Sequence, residues 1–330
     1  MKIARTTRLL ATVVCAFALA ACGGGDGDGQ PGAAEPAASG ATGLPADKYP
    51  RTVQTVRGEV KIESAPQRIV VLDGQSLDTL VALKAPIAAY DLGSDDKRDV
   101  APWLSDVPGE FKPGLVGADG SVDVQAVLAA DPDLIVVDPF TAKDGEVYKR
   151  LSAIAPVLTE AKEAVLPWQE RTRWLADALG IPEVGARVIT ETEAKLATAK
   201  AEVPGLAGKS YHYVAFSEQY GGLWFGNGAW LETFGMVPGK GQVNTHEEFN
   251  VVSLENVSDF DADVLVIWAM AEADRKKLEA DARFQALPSV KNGLVLWMDY
   301  SLAIATNTPG PGSILYMRDV VTPKLASAVQ

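Results

Sequence analysis

Asp131-Pro132-Asp133-Leu134-Ile135-Val136-Val137 is the stretch whose reading decides the fold. Proline has no N–H to give a helix and biases the preceding residue away from helical backbone, so Asp131-Pro132 stops the helical pattern of Val122–Ala130. The four apolar residues that follow show no polar alternation. A strand of that kind is covered on both faces, as parallel strands between helices are. Upstream, Arg68-Ile69-Val70-Val71-Leu72-Asp73 is a second short β-branched run. A helix pattern follows it from Ser76 through Leu83, and Ile87–Tyr90 is a further strand. Downstream the pattern restarts, with strands at Tyr211–Phe216, Val264–Trp268 and Leu294–Met298. Helices are expected near 228–235, 253–258, 272–286 and 312–326. The predicted class is α/β with parallel sheets.

Between the two sets, Pro167–Val203 reads as helical and is broken at Gly180-Ile181-Pro182. In its second part, Val184, Val188, Ile189 and Leu196 recur near every fourth residue and fit one helical face. Eighteen residues of helix span roughly 27 Å, a length that suits a rod joining two lobes. A core helix inside one domain has the same periodicity.

The chain has 330 residues, with 30 Lys+Arg against 43 Asp+Glu and a formal net charge of −13. That balance argues against a nucleic-acid partner, which needs clustered cations. The only cysteines are Cys15 and Cys22, so a disulfide framework or a Cys-ligated metal site is excluded beyond them. Lys2, Arg5 and Arg8 precede an apolar run, Leu9–Ala21, that is too short to span a bilayer. The run ends in Leu19-Ala20-Ala21-Cys22-Gly23. It resembles a bacterial lipobox, in which the cysteine carries the lipid and becomes the first mature residue. Residues 1–21 are then a lipoprotein signal peptide, 309 residues remain, and the charge becomes −16 because three cations leave with the leader. Residues 22–49, rich in Gly, Pro and Ala, read as a flexible tether.

Five stretches together resemble the periplasmic binding proteins that capture ferric siderophores, haem or cobalamin for ABC importers. They are Ala65-Pro66-Gln67-Arg68-Ile69-Val70-Val71, Leu77–Leu83, Asp131–Val136, Trp230–Gly235, and Val252-Ser253-Leu254-Glu255 with Asp261-Ala262-Asp263-Val264-Leu265. The resemblance covers about residues 50–325. It implies two Rossmann-like α/β lobes, at 50–165 and 204–330, joined by a single long helix within a linker region at 166–203. The ligand cleft lies between the lobes, and a ferric siderophore is the ligand. It further implies a monomer held at the outer face of the cell membrane by its lipid, with an ABC permease as partner and no intrinsic cofactor.

In such proteins each lobe presents a Glu to the permease seven residues before its Pro-Asp-like element. Glu255 matches, seven before Ala262. The equivalent position before Pro132 is Gln125, so one docking charge is missing, with Asp123 two residues away as a substitute. In α/β sheets ligands lie beyond the carboxyl ends of the strands. The loops there supply Tyr90, Phe140, Tyr220, Trp224, Trp268 and Tyr300 as candidate ligand contacts, and His246 lies in the loop before Glu255. These loops hold few Lys or Arg, so a ferric hydroxamate of low charge is expected over a triply anionic catecholate. His246 with a cleft Tyr keeps haem as an alternative ligand, and cobalamin, which the same family also carries, is another. His212, inside an apolar strand, reads as buried structure. A cell-envelope interaction protein that has lost transport is the other alternative, prompted by Gln125. No G-x-S-x-G, H-E-x-x-H or Walker A motif occurs, so no enzyme is expected.

Overall fold

The computed structural model describes residues 43–92, 101–117, 119–160, 162, 166–244, 251–307 and 309–328. Cys15, Cys22 and His246 lie outside the described residues. An antiparallel hairpin comes first, β1 (Arg51–Thr55) with β2 (Gly58–Ile62). Five parallel strands follow: β3 (Ile69–Val71), β4 (Ile87–Tyr90), β5 (Glu110–Phe111), β6 (Leu134–Val136) and β7 (Val157–Leu158). Their order is β5-β4-β3-β6-β7. The chain moves outward from β3 to β5 and then crosses back to β6, so the strand order reverses beside β3. All three residues of β3 and of β6 are buried, as their unbroken apolar runs predict.

The two faces of this sheet are covered by different elements. Ile69, Val71, Leu134 and Val136 pack with Leu77 and Leu80 of α1 (Gly74–Ala82). Val70 and Ile135 point the other way, into a cluster with Val127 of α2 (Val124–Ala129) and Leu151 of α3 (Gly145–Ser152). The Pro-Asp stretch acts as a clamp. Asp133 accepts from the Gln67 and Arg68 amides at 2.7 and 2.9 Å, which fixes the start of β3 to the start of β6. The Arg68 guanidinium donates to the carbonyls of Ala130 and Asp131, both at 2.8 Å, and so satisfies the end of α2.

The second sheet repeats the device. It comprises β8 (Ser210–Ser217), β9 (Gly222–Phe225), β10 (Val237–Pro238), β11 (Val264–Ala269) and β12 (Val295–Trp297). The order is β10-β8-β11-β12, with β9 antiparallel against β8. Asp263 accepts from the amide and the hydroxyl of Ser210, both at 2.8 Å, and ties β8 to β11 as Asp133 ties β3 to β6.

The linker region holds α4 (Trp168–Ala178) and α5 (Pro182–Glu202), separated by Gly180 at φ +71°. Leu175, Ala176 and Leu179 belong to the first lobe's core. Along α5, Val184 and Val188 pack on that core, whereas Ile189, Leu196 and Ala199 join the second lobe's cluster with Leu231, Phe234 and Val264. One helix therefore belongs to both cores.

Four helices of the second lobe follow: α6 (Glu272–Ala280), α7 (Ala282–Gln285), α8 (Pro288–Lys291) and α9 (Tyr300–Asn307). The helix expected over 272–286 is two helices. Asp281 adopts extended backbone between them, and its carboxylate accepts from Arg283 and Phe284 at the start of α7. The helices expected near 228–235 and 253–258 are 3-10 turns, Ala229–Phe234 and Leu254–Asp259, too short for α-helical pairing to dominate. The last helix, α10 (Pro311–Ala328), sets Met317, Val321 and Leu325 in the second lobe. Its first turn reaches the other lobe: the Gly312 and Ser313 amides donate to the buried Asp78 carboxylate of α1 at 2.7 and 2.8 Å.

Candidate functional site

At the carboxyl ends of β11 and β12 the second lobe opens into a cavity of about 400 Å3, walled by Trp268, Met270, Glu272, Arg275, Trp297 and Tyr300. Trp268 is the fifth residue of β11, Trp297 ends β12, and Tyr300 begins α9, so the ends of two neighbouring strands and the start of the following helix converge. The Trp268 and Tyr300 rings lie 6.2 Å apart at 42°. Met270 and Tyr300 keep 39% and 43% of their surfaces exposed, which leaves apolar area free for an occupant. The Arg275 guanidinium sits over Trp297, 4.6 Å from the ring centroid.

All the residues that line this cavity belong to the second lobe. Asp299 accepts from the Leu302 amide at 2.8 Å and caps α9. Burial, with the negative charge of Asp299 beside it, raises the Tyr316 phenol above its ordinary pKa. Tyr316 in turn stacks at 5.3 Å on Trp103, a first-lobe residue that packs against both cores. A second aromatic pair stands on the β8–β9 hairpin, where Tyr220, half exposed, meets Trp224 edge-on at 5.9 Å. An ion pair between Lys277 and Glu218 ties that hairpin to α6.

In the first lobe, loops follow β3, β6 and β7 at the corresponding sheet end. Asp73 follows β3 and caps α1 through the Ser76 amide at 2.7 Å. Burial, and then the nearby Asp138 carboxylate, push its acid up to about 7. Asp138 follows β6 and binds the amides of Phe140 and Thr141 at 2.8 and 2.9 Å. Beyond it Phe140 projects with 69% exposure, the Lys143 ammonium 4.0 Å above its ring. Beneath these loops Glu160 and Arg171 form a fully buried ion pair. Among the described residues no three His, Cys, Asp or Glu side chains are grouped to hold a metal ion. No helix of the described residues is long and apolar enough to cross a membrane.

The Periplasmic binding protein family profile matches residues 69–301. The chain belongs to this family. A curated relative, the Fe(3+)-citrate-binding protein YfmC of Bacillus subtilis, is 26% identical over 267 residues, covering 77% of this chain and 80% of its own. The ferric enterobactin-binding periplasmic protein FepB of Escherichia coli is 26% identical over 276 residues, 77% of this chain and 85% of its own. Among solved structures, a periplasmic solute binding protein from Mycobacterium smegmatis superposes with a TM-score of 0.69 at 23% identity. That match covers 84% of this chain and 98% of the other. These relatives are binding proteins, not enzymes.

Within this periplasmic binding protein, the residues expected at the ligand divide. Trp268 and Tyr300 share the cavity wall, Tyr220 and Trp224 pair on the hairpin, and Phe140 stands on the first lobe. Tyr90 does not face a cleft. It is 3% exposed and packs in the first lobe's core with Phe111 at 5.5 Å, because the side chain of a strand residue projects from a sheet face rather than from its end. His212 is buried between Phe225 and Phe260 with Nε2 against the Lys240 carbonyl at 3.1 Å, and burial lowers its pKa.

Gln125 and Glu255 occupy matching exposed places, each two residues after a cap: Asp123 accepts from the Gln125 amide, and Ser253 from the Glu255 amide. The Asp123 carboxylate is thus engaged by its own helix. The sequence reading missed Arg275, Glu272 and Trp297. Arg275 is the fourth residue of α6, one turn after a strand end, and that offset is the only local sign that it returns to the sheet edge.

Proposed function

We propose that this periplasmic binding protein is the substrate-binding component of an ABC importer, a lipid-anchored monomer that captures a ferric siderophore and delivers it to a membrane permease. The observation that carries the reading is the aromatic-walled cavity of about 400 Å3 at the ends of β11 and β12, in a chain whose relatives are named for iron complexes. Those names agree on ferric iron and differ in chelator, citrate in one and enterobactin in the other. The lining therefore has to supply the distinction. One guanidinium, Arg275, stands there against two carboxylates, Glu272 and Asp299. A triply anionic catecholate complex would be desolvated with too little cationic compensation. Aromatic faces and few charges suit a ferric hydroxamate of low net charge.

In this reading iron is cargo inside its chelator. Cys22 carries the lipid at the outer face of the cell membrane, and Glu255 supplies the charged permease contact while Gln125 supplies an uncharged one. Titration of the purified protein with ferric hydroxamate, catecholate and citrate complexes and with haem, followed by tryptophan fluorescence, tests the ligand. Quenching by a ferric hydroxamate at micromolar concentration is expected, because Trp268 lines the cavity. Flat titrations across the whole panel overturn the proposal.

A further inference from the structure

We propose that Arg275 is the specificity-determining residue of this cavity: it exchanges its partner Glu279 for a single peripheral carboxylate on the ferric complex. The inference rests on the siderophore reading and goes beyond it by naming the feature of the ligand that is recognised. Three observations meet at this residue. Arg275 is the one cation among the residues lining the cavity. Its guanidinium lies 4.6 Å from the centroid of the Trp297 ring, a wall residue, which supports it as a cation on an aromatic face. Its ion pair, Nε to the Glu279 carboxylate at 2.9 Å, joins two side chains that are each 43% exposed, one helical turn apart. Exposed pairs of that kind contribute little and are exchanged readily.

A carboxylate brought in on a bulky ligand meets the same guanidinium away from bulk water, where a charge-assisted, two-pronged hydrogen bond is stronger than the exposed pair it replaces. The neighbouring charges set the count at one. Glu272, itself 3.6 Å from Lys276, and Asp299, which caps α9, also line the cavity and oppose further negative charge. The aromatic wall of Trp268 and Tyr300 accepts the uncharged body of the complex. The site therefore favours a low-charge iron core with one carboxylate on its rim over the same core without it.

A matched series decides the matter: three ferric trihydroxamates with one iron core and a terminal ammonium, acetamide or succinamate, titrated calorimetrically into the full chain. The succinamate complex is expected to bind about tenfold more tightly than the acetamide complex. Arg275→Gln should bring the succinamate and acetamide complexes within about threefold of each other. Glu279→Gln, which frees the guanidinium, should hold or strengthen succinamate binding. Equal losses for all three complexes in Arg275→Gln, or no preference in the wild type, overturn the inference and leave the importer reading standing. So does binding of some other ferric complex with none of these three. Failure of every ferric complex to bind the wild type removes the functional reading itself.

Discussion

Asp73 shows how much one side chain can decide at the end of a parallel strand. Its Oδ1 caps α1, while Oδ2 is shut off from solvent without a hydrogen-bond partner among the described residues. Burial and the Asp138 carboxylate raise its acid from 3.8 to about 7, against the weaker opposing pull of Ser76 and Arg171. A carboxyl that holds its proton more tightly folded than unfolded gives stability that is fully present below the unfolded pKa and lost as pH rises through about 7. Asp73→Asn keeps an oxygen to cap α1 and removes the charge. Its melting temperature should exceed wild type by a wider margin at pH 8 than at pH 5. An equal offset at both pH values would mean that the acid is not shifted. Elsewhere at this scale, Phe140, Tyr220 and Tyr300 were legible as exposed aromatics from their loops. Tyr90 was not, because only the packed sheet shows which way the last residue of a strand turns.

At the scale of elements, the contact between α4 and α5 turns on Gly185. A Cβ placed there would stand 2.4 Å from the Ala176 Cβ, closer than two carbon atoms pack. Gly185→Ala gains up to about 1 kcal/mol of helix propensity and incurs an overpacking cost of about 1–3 kcal/mol, so the clash should win. A lower denaturation midpoint is expected, with part of the loss recovered in the double variant Gly185→Ala, Ala176→Gly. A rise in the midpoint for the single variant would deny the close approach. The break between the two helices was readable at Gly180-Ile181-Pro182, since glycine at φ +71° and proline in the first turn both punctuate locally. The split of the stretch 272–286 was not readable from apolar spacing. It depends on whether Asp281 spends its carboxylate on capping, which its neighbours in space decide.

Across the whole molecule, two helices bind the lobes: α5 through packing and α10 through the Asp78 carboxylate. Gly310 and Gly312 let the backbone close on that carboxylate, since a Cβ at either would lie within 2.7 Å of it. The proposed location and partner are whole-molecule properties as well. Cys22→Ala should release the protein from the membrane fraction, and continued retention in cell fractionation would count against a lipid on that cysteine. Glu255→Ala should leave ligand affinity unchanged and lower ligand-dependent uptake. Unchanged uptake would favour a binding protein that no longer serves a permease.

The amino-acid sequence alone determined the α/β class and the long helix between two sets of strands. Each of these is written in residues a few positions apart, where helix and strand periodicities act. Only the tertiary structure decided the cavity. Its wall takes Trp268, Arg275, Trp297 and Tyr300 from four separate elements, and no local pattern records which elements will meet. The same holds for the buried pair of Glu160 with Arg171 and for the grip of Asp78 on residues more than two hundred positions later. In all three the deciding energy is the loss of water around groups that become neighbours only after the chain has packed.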